Sequence, residues 1–403
     1  MTTAPLALAR PPASRESRRV PILLGVAWAA VFLNVMAYSR LPTVVPIPGA
    51  IGQLLTQGAL PAALLLALVM NPKGVLRPQV YLVGFTVMAV IMLAVSIHGE
   101  FLMGSTFRAS RFVGFMAVLW LLSPWFGRRD MMLLRCHRIC LITVLVLVVL
   151  GAMVSPGLAF SFEGRLSGVL WPVPPTQVAH YAAVVFGTSA LLWMCQVISG
   201  RNALACIALS GVVLVGTHTR TALIAMAVGM VVAGLSLFVG HSRVRRTSLW
   251  AILLVLATVG VFANELKTWA LRGQSAQEAG DLTGRTKVWS AVFHTPRPAV
   301  NDWFGSGMSN LSFGGLPIDS NWVGTFYDQG WFGVVLDAAI VLVLLVVAAT
   351  RERSPHRAIA IFLIIYCIFA SITETGLSNP SPYLLDLAVA ASLILPWRQE
   401  AAR

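Results

Sequence analysis

Charge is what this sequence has least of. Only 11% of its 403 residues are Asp, Glu, Lys or Arg, against about a quarter in a soluble domain, which excludes one or two water-soluble globules. Acids are the scarcer sign, 15 against 29 Lys and Arg. Cysteine is confined to Cys136, Cys140, Cys195, Cys206 and Cys367, inside apolar runs or beside a turn, and no spacing suits a disulfide framework or a zinc site. No stretch of Pro, Ser or Gln marks a linker, and no repeat of fixed period is visible. The glycines Gly305, Gly307, Gly314 and Gly315 follow no strand and precede no Lys-Ser/Thr pair, so dinucleotide and P-loop fingerprints are excluded.

What is abundant is apolar sequence. Hydrophobic residues make up 57% of the chain and the mean hydropathy is +0.80, which excludes extended disorder. Runs of about 20 apolar residues, each able to cross a hydrocarbon core of about 30 Å, recur from end to end. They lie near 20–38, 50–70, 80–97, 109–126, 139–155, 178–198, 203–217, 220–239, 248–263, 330–349, 358–372 and 382–396. The pattern predicts an all-α polytopic membrane bundle of about twelve spans, with a tight turn at His218-Thr219. The N-terminus resembles a signal peptide, but Tyr38-Ser39-Arg40 offers no small-residue cleavage site, so a retained first helix is expected.

A net charge of +14 would point to nucleic acid in a soluble chain; here placement decides. With both termini cytoplasmic, 19 of the 29 basic residues and only 4 of the 15 acids fall in inner segments, as the positive-inside rule expects. The inner clusters are topology signals, and no nucleic-acid partner is implied. Function is then sought among the outer charges. One outer connection is long, from Asn264 to about Gln329 between spans nine and ten, and a loop of that length is uncommon without a role.

Three outer arginines have Gly or Thr neighbours, which let a ligand approach the backbone and add hydroxyl donors. Arg165 lies in Phe162-Glu163-Gly164-Arg165-Leu166-Ser167-Gly168. Arg220 lies in Thr217-His218-Thr219-Arg220-Thr221-Ala222 and opens a span whose N-terminus faces outward, where an anion is favoured. Arg285 starts a segment whose apolar Val288, Trp289, Val292 and Phe293 predict a short amphipathic surface helix capped by Asp281 or Thr283. Guanidinium forks grip phosphate oxygens in pairs, so a lipid-linked diphosphate is an apt ligand. The alternative is that these arginines snorkel to lipid phosphates or pair with Glu163, Asp281 and Asp302.

At these residues the chain resembles the O-antigen ligase/polymerase superfamily of bacterial membrane glycosyltransferases. The resemblance runs, in order, through the Arg165 loop with Trp171-Pro172; Thr219-Arg220-Thr221-Ala222; Gly284-Arg285-Thr286 with Trp289; and Gly305-Ser306-Gly307. It continues with Ser320-Asn321, Phe326-Tyr327-Asp328-Gln329-Gly330-Trp331-Phe332-Gly333 and the Glu374–Asp386 stretch. It covers roughly residues 80–396.

The resemblance implies a GT-C-like fold in the bacterial plasma membrane, with the active site on the periplasmic or extracellular face. Residues 1–19 would be a cytoplasmic tail and 20–398 a single transmembrane domain, with 264–329 its outer catalytic loop and 399–403 a second cytoplasmic tail. The donor would be a polyprenyl-diphosphate-linked oligosaccharide and the acceptor a glycan or glycolipid hydroxyl, with no metal, nucleotide or other cofactor. Arg220 and Arg285 are the implied catalytic arginines and Arg165 a donor-binding one. Thr219, Thr221, His218, Asn321, Trp289 and Tyr327 are expected to bind substrate. Ligases of the family carry a histidine where this chain has Ser320, so a polymerase is implied over a ligase.

A base must reach the acceptor hydroxyl. Asp319, beside the position of that histidine, is the expected one; Glu163 reads better as a partner of Arg165, and His218 beside Arg220 is a further candidate. His98 and Glu100, with Arg108 and Arg111, could shape an acceptor groove. His180, Asp337 and Asp386 fall within spans, where an ionisable group is a functional hypothesis, although interhelical hydrogen bonds explain them as well. His294 and Glu374 receive no role. The aromatics Trp303, Phe304, Phe313, Trp322, Phe326, Tyr327, Trp331 and Phe332 suit either a glycan groove or an interfacial belt. The reading from a different class is a transporter or flippase of lipid-linked glycans, which should place charged or broken-helix features at mid-membrane.

Overall fold

A computed structural model describes residues 15–39, 41–98, 102–238, 242–271 and 284–396. Among them the chain is all-α apart from one two-stranded hairpin. The longer helices are α1 (Arg15–Val35), α2 (Gly49–Met70), α3 (Val80–Ile97), α4 (Leu102–Leu122), α5 (Met132–Val154) and α7 (Pro175–Met194). They continue with α8 (Gly200–Gly216), α9 (Arg220–Phe238), α10 (Ser242–Leu271), α13 (Asn321–Thr350), α14 (Pro355–Ala370) and α15 (Pro382–Ile394). Short helices α6 (Pro156–Ala159), α11 (Arg285–His294) and α12 (Ala299–Phe304), with strands β1 (Ser312–Phe313) and β2 (Leu316–Pro317), fill the connections. The tails at 1–14 and from 397 onward, Glu100, and Asp281 with Thr283 lie outside the described residues.

Among the described residues six helices are long and apolar enough to cross a membrane: α2, α3, α5, α9, α10 over Ser242–Glu265, and α13. Val20–Val35 of α1, with α8, α14 and α15, forms a set of shorter apolar helices. The two remaining long helices are more polar, α4 through Arg108 and Arg111, α7 through Gln177, His180, Thr188 and Ser189. Large apolar side chains such as Leu54, Leu65, Val231 and Leu254 stand exposed on α2, α9 and α10, a surface that hydrocarbon covers and water does not.

Several helices overrun the apolar stretches that predict them. α4 starts at Leu102 and α5 at Met132, each seven residues ahead of its apolar run. The added turns carry Ser105, Arg108, His137 and Arg138, whose polar groups bond inside the protein. α10 runs on to Leu271 past a kink at Phe262. α13 begins at Asn321 and breaks at Gly330, where φ is 64° and ψ −167°. The long connection between α10 and α13 is therefore shorter than its apolar boundaries suggest, and its described part is built from α11, α12 and the hairpin.

α7, α14 and α15 are buried around almost their whole circumference, as expected of helices apolar on all sides. Gly187 on α7 and Gly229 on α9 both face Phe362 of α14, small residues that let the helices close up around one ring. Ser354 and Ser381 cap α14 and α15 and accept backbone N–H groups from Arg357 and Leu384; Pro355 and Pro382 pre-set the first turns. The loop between α14 and α15, residues 371–381, thus sits over the centre of the bundle. A second small core of Val292, Ile318, Val323 and Phe326 fastens α11 to the N-terminal part of α13.

Candidate functional site

Arg165 is held by a turn. Glu163 and Gly164 have φ of 51° and 68°, and the Arg165 N–H donates to the Phe162 carbonyl at 2.9 Å; two successive left-handed residues mark the tight hairpin type. The guanidinium reaches the α8–α9 connection, where Nε donates to the Thr217 carbonyl and Nη2 to Thr219 Oγ1, both at 3.0 Å. The Leu166 N–H adds a bond to the Gly216 carbonyl. That connection is the tight turn expected at His218-Thr219, with His218 at φ 50° and α9 beginning at Arg220.

Thr219 and Thr221 flank Arg220 and each ties down a different wall. Thr219 holds Arg165, and the Thr221 hydroxyl lies 2.7 Å from that of Thr373 in the 371–381 loop. Arg220 is half-buried between them. The residue after Thr373 is Glu374. Arg285 opens α11 behind Gly284, which with φ 82° occupies the cap position; the expected caps Asp281 and Thr283 lie outside the described residues. The surface helix itself forms as expected, with Val292 buried, Val288 and Trp289 partly buried, and Phe293 stacked on Phe326 at 4.8 Å. Arg285 Nε lies 3.1 Å from Asp319 Oδ2, a pair about one-third exposed.

Electrostatics link these pieces around Glu374. It is partly accessible yet ringed by protein, and burial pushes its carboxyl up to about 7; Arg285 pulls down, Asp319 pushes up and Arg165 pulls down. Arg165, buried, is itself lowered from the usual guanidinium value by burial, raised by Glu163 and Glu374, and lowered by Arg285. Arg165, Arg285, Asp319 and Glu374 thus share one field, and Arg220 stands between two threonines bonded to the same walls. Two cations around a carboxyl that titrates near neutrality can hold a multiply charged anion and accept a proton beside it.

Glu374 is the residue that sequence reasoning left without a role. A signal was present: within the last outer loop it is the lone acid, in Thr373-Glu374-Thr375-Gly376, the same small-residue setting that marks the arginines. Asp319 is placed at the site but faces the Arg285 guanidinium. Ser320 is buried, and Asn321 is fully engaged inside the protein. Its Oδ1 accepts the Gly376 and Leu377 N–H groups at 3.2 and 2.8 Å, and its Nδ2 donates to Asp337 at 2.7 Å. It shapes the Glu374 loop and leaves little for a ligand. Trp289 packs in the small outer core and Tyr327 lies edge-on to Phe313. Tyr327 and His98 line a cavity of about 640 Å³ away from the arginine cluster. Arg108 and Arg111 line another of about 240 Å³ with Asp328 and Asn379. His294 bonds within its own helix, to the Ser290 carbonyl.

Deeper in the bundle, His137, Asp386 and His180 form a fully buried trio. His137 Nε2 and His180 Nε2 lie 2.8 and 3.1 Å from the two Asp386 oxygens, and Trp28 Nε1 donates to His137 Nδ1. Tyr366 and Tyr383 pack on His180. Among the described residues no group of three His, Cys, Asp or Glu side chains is placed to hold a metal ion. No family model matches the chain, and no curated protein matches it.

Proposed function

We propose that the protein is a polyprenyl-diphosphate-dependent glycosyltransferase, with twelve crossings and a GT-C-like arrangement, acting on the outer face of a bacterial plasma membrane with both termini cytoplasmic. The observation that carries this reading is the meeting of the Arg165 loop, the Arg220 turn and the Glu374 loop: Arg165 bonds Thr217 and Thr219, and Thr221 on the same turn lies 2.7 Å from Thr373, the neighbour of Glu374. The arginines hold the donor's diphosphate. An acceptor hydroxyl attacks the anomeric carbon, the bond from that carbon to the diphosphate oxygen breaks, and its electron pair leaves with the polyprenyl diphosphate. Glu374 takes the hydroxyl proton, with Asp319 keeping Arg285 oriented. Donors aimed at charge that develops on the leaving oxygen are worth about 10²–10³ in rate each. Polymerisation is favoured over ligation because the buried Ser320 stands where the resembled ligases have a histidine.

The test is release of free polyprenyl diphosphate from a lipid-diphosphate oligosaccharide by the detergent-purified protein. Arg220→Ala and Arg285→Ala are each expected to abolish release while the protein still folds; release retained in both removes the clamp. The second reading, a transporter or flippase, is favoured by the His137–Asp386–His180 trio, a buried ionisable cluster among helices. Detergent separates the two, since transport needs two compartments and bond cleavage needs none.

A further inference from the structure

Beside the arginine cluster lies a cavity of about 650 Å³, walled by the Glu163–Gly164 turn, by His218 and by the outer end of α10. Past its kink at Phe262, α10 offers one polar face to this space, in which Glu265 and Trp269 are one helical turn apart. Trp269 stacks on His218 with ring centres 5.2 Å apart and planes 27° from parallel. Its indole Nε1 is buried without a hydrogen-bond partner, an unusual state for a donor in a folded protein. Glu163 and His218 both hold left-handed backbones, at φ 51° and 50°. Such strain in non-glycine residues gathers at functional sites.

We propose that this cavity is the subsite for the sugar that is bonded directly to the diphosphate, and that it selects a neutral sugar; this rests on the diphosphate reading above. Position comes first. Glu163 and Gly164 precede Arg165 on one turn, and His218 sits between Thr217 and Thr219, the two residues that bind the Arg165 guanidinium. A diphosphate on Arg165 therefore hands its next group to this space. Chemistry is second. Among the described residues the ionisable lining is Glu163, Glu265 and His218, with no Arg or Lys, so hydroxyl groups find acceptors and the indole N–H finds an oxygen. The paired rings offer an apolar wall to the C–H face of a pyranose. A carboxylate on the sugar would meet two like charges. The volume lies within the range of small-molecule sites.

The experiment measures binding to the full-length protein in nanodiscs of three probes: farnesyl diphosphate, its N-acetylglucosaminyl conjugate and its glucuronyl conjugate. Two or three net hydrogen bonds predict about tenfold tighter binding of the neutral conjugate than of bare farnesyl diphosphate. Glu265→Ala and Trp269→Ala are each expected to erase that advantage and leave the affinity for farnesyl diphosphate unchanged, which also reports an intact fold. The glucuronyl conjugate is expected to gain nothing. The proposal is overturned by equal binding of the neutral conjugate and the bare lipid, by an advantage that survives either substitution, or by an equal gain for the glucuronyl probe. Failure of the clamp reads separately: Arg285→Ala would leave farnesyl diphosphate binding unchanged, while the conjugate-to-lipid ratio still reports on the cavity.

Discussion

On the proposed reaction, Glu374 sets a pH dependence that can be worked out in advance. Its carboxyl is pushed up to about 7, first by burial and then by Asp319, against the pull of Arg285 and Arg165. If it accepts the acceptor's proton, only its ionised form is active. Activity therefore rises with pH through about 7 and falls tenfold per unit below it, by about fifty-fold between pH 7 and pH 5. kcat/KM is the quantity to follow, because it reports the free enzyme's groups. An ordinary glutamate would place the same limb near pH 4.3, so the two cases are well separated. Asp319→Asn supplies the internal control. It removes a negative neighbour about one-third exposed, and an interaction of that kind contributes up to about 1 kcal/mol. The limb should therefore move down by up to about 0.7 of a pH unit. Glu374→Gln should lower kcat/KM by about 10²–10⁴ and abolish the limb. A limb near 4, or an upward shift in Asp319→Asn, refutes the assignment.

Two structural expectations accompany it. Asp386→Ala strips both His137 and His180 of a fully buried partner; a loss of about 3–5 kcal/mol follows, seen as a clear drop in the detergent melting temperature, and an unchanged melt would show the trio is not structural. Asn321→Ala leaves the Gly376 and Leu377 N–H groups without their acceptor, at about 1–3 kcal/mol for each buried orphan. Because that loop carries Glu374, kcat should fall with it although Asn321 touches no substrate, and full activity would separate the loop from the site.

Much of the scaffold is legible from apolar runs, because length and hydropathy are one-dimensional properties. Each predicted run overlies a helix, although among the described residues only six of these helices are long and apolar enough to cross a membrane, and the turn at His218 is where it was expected. The helix ends are less legible. Arg108 in α4 and His137 in α5 lower local hydropathy, and only the fold supplies their partners, Met308 and Asp386. The N-cap of α11 falls to Gly284, since a left-handed glycine serves there without a side-chain acceptor. The grouping of Arg165 with the Thr219 turn follows from shared small-residue settings, which sequence displays. The setting of Glu374 does not, because burial and two arginines distant in sequence create it.

The location of the cluster follows from where a bundle of this kind can tolerate irregular backbone. Within apolar surroundings, non-helical chain is stable only if protein or a wet cavity satisfies its polar groups. The 371–381 loop meets that condition through side chains: Asn321 takes two of its N–H groups, Gln329 Nε2 donates to the Ser378 carbonyl, and Thr325 pairs with the Ser378 hydroxyl. All three belong to the N-terminal part of α13, before the break at Gly330. That break lets 321–329 face the loop while 331–350 continues as apolar helix. α14 and α15, buried on all sides, support the loop from beneath. A carboxyl placed on this loop is desolvated by the bundle centre and still feels the arginines of the Arg165 turn and the start of α11. The raised pKa of Glu374 and its nearness to the arginines are therefore two results of one placement. Moving it a few residues into α14 would deepen burial but remove it from Arg165 and Arg285, and moving it outward would restore an ordinary carboxylate.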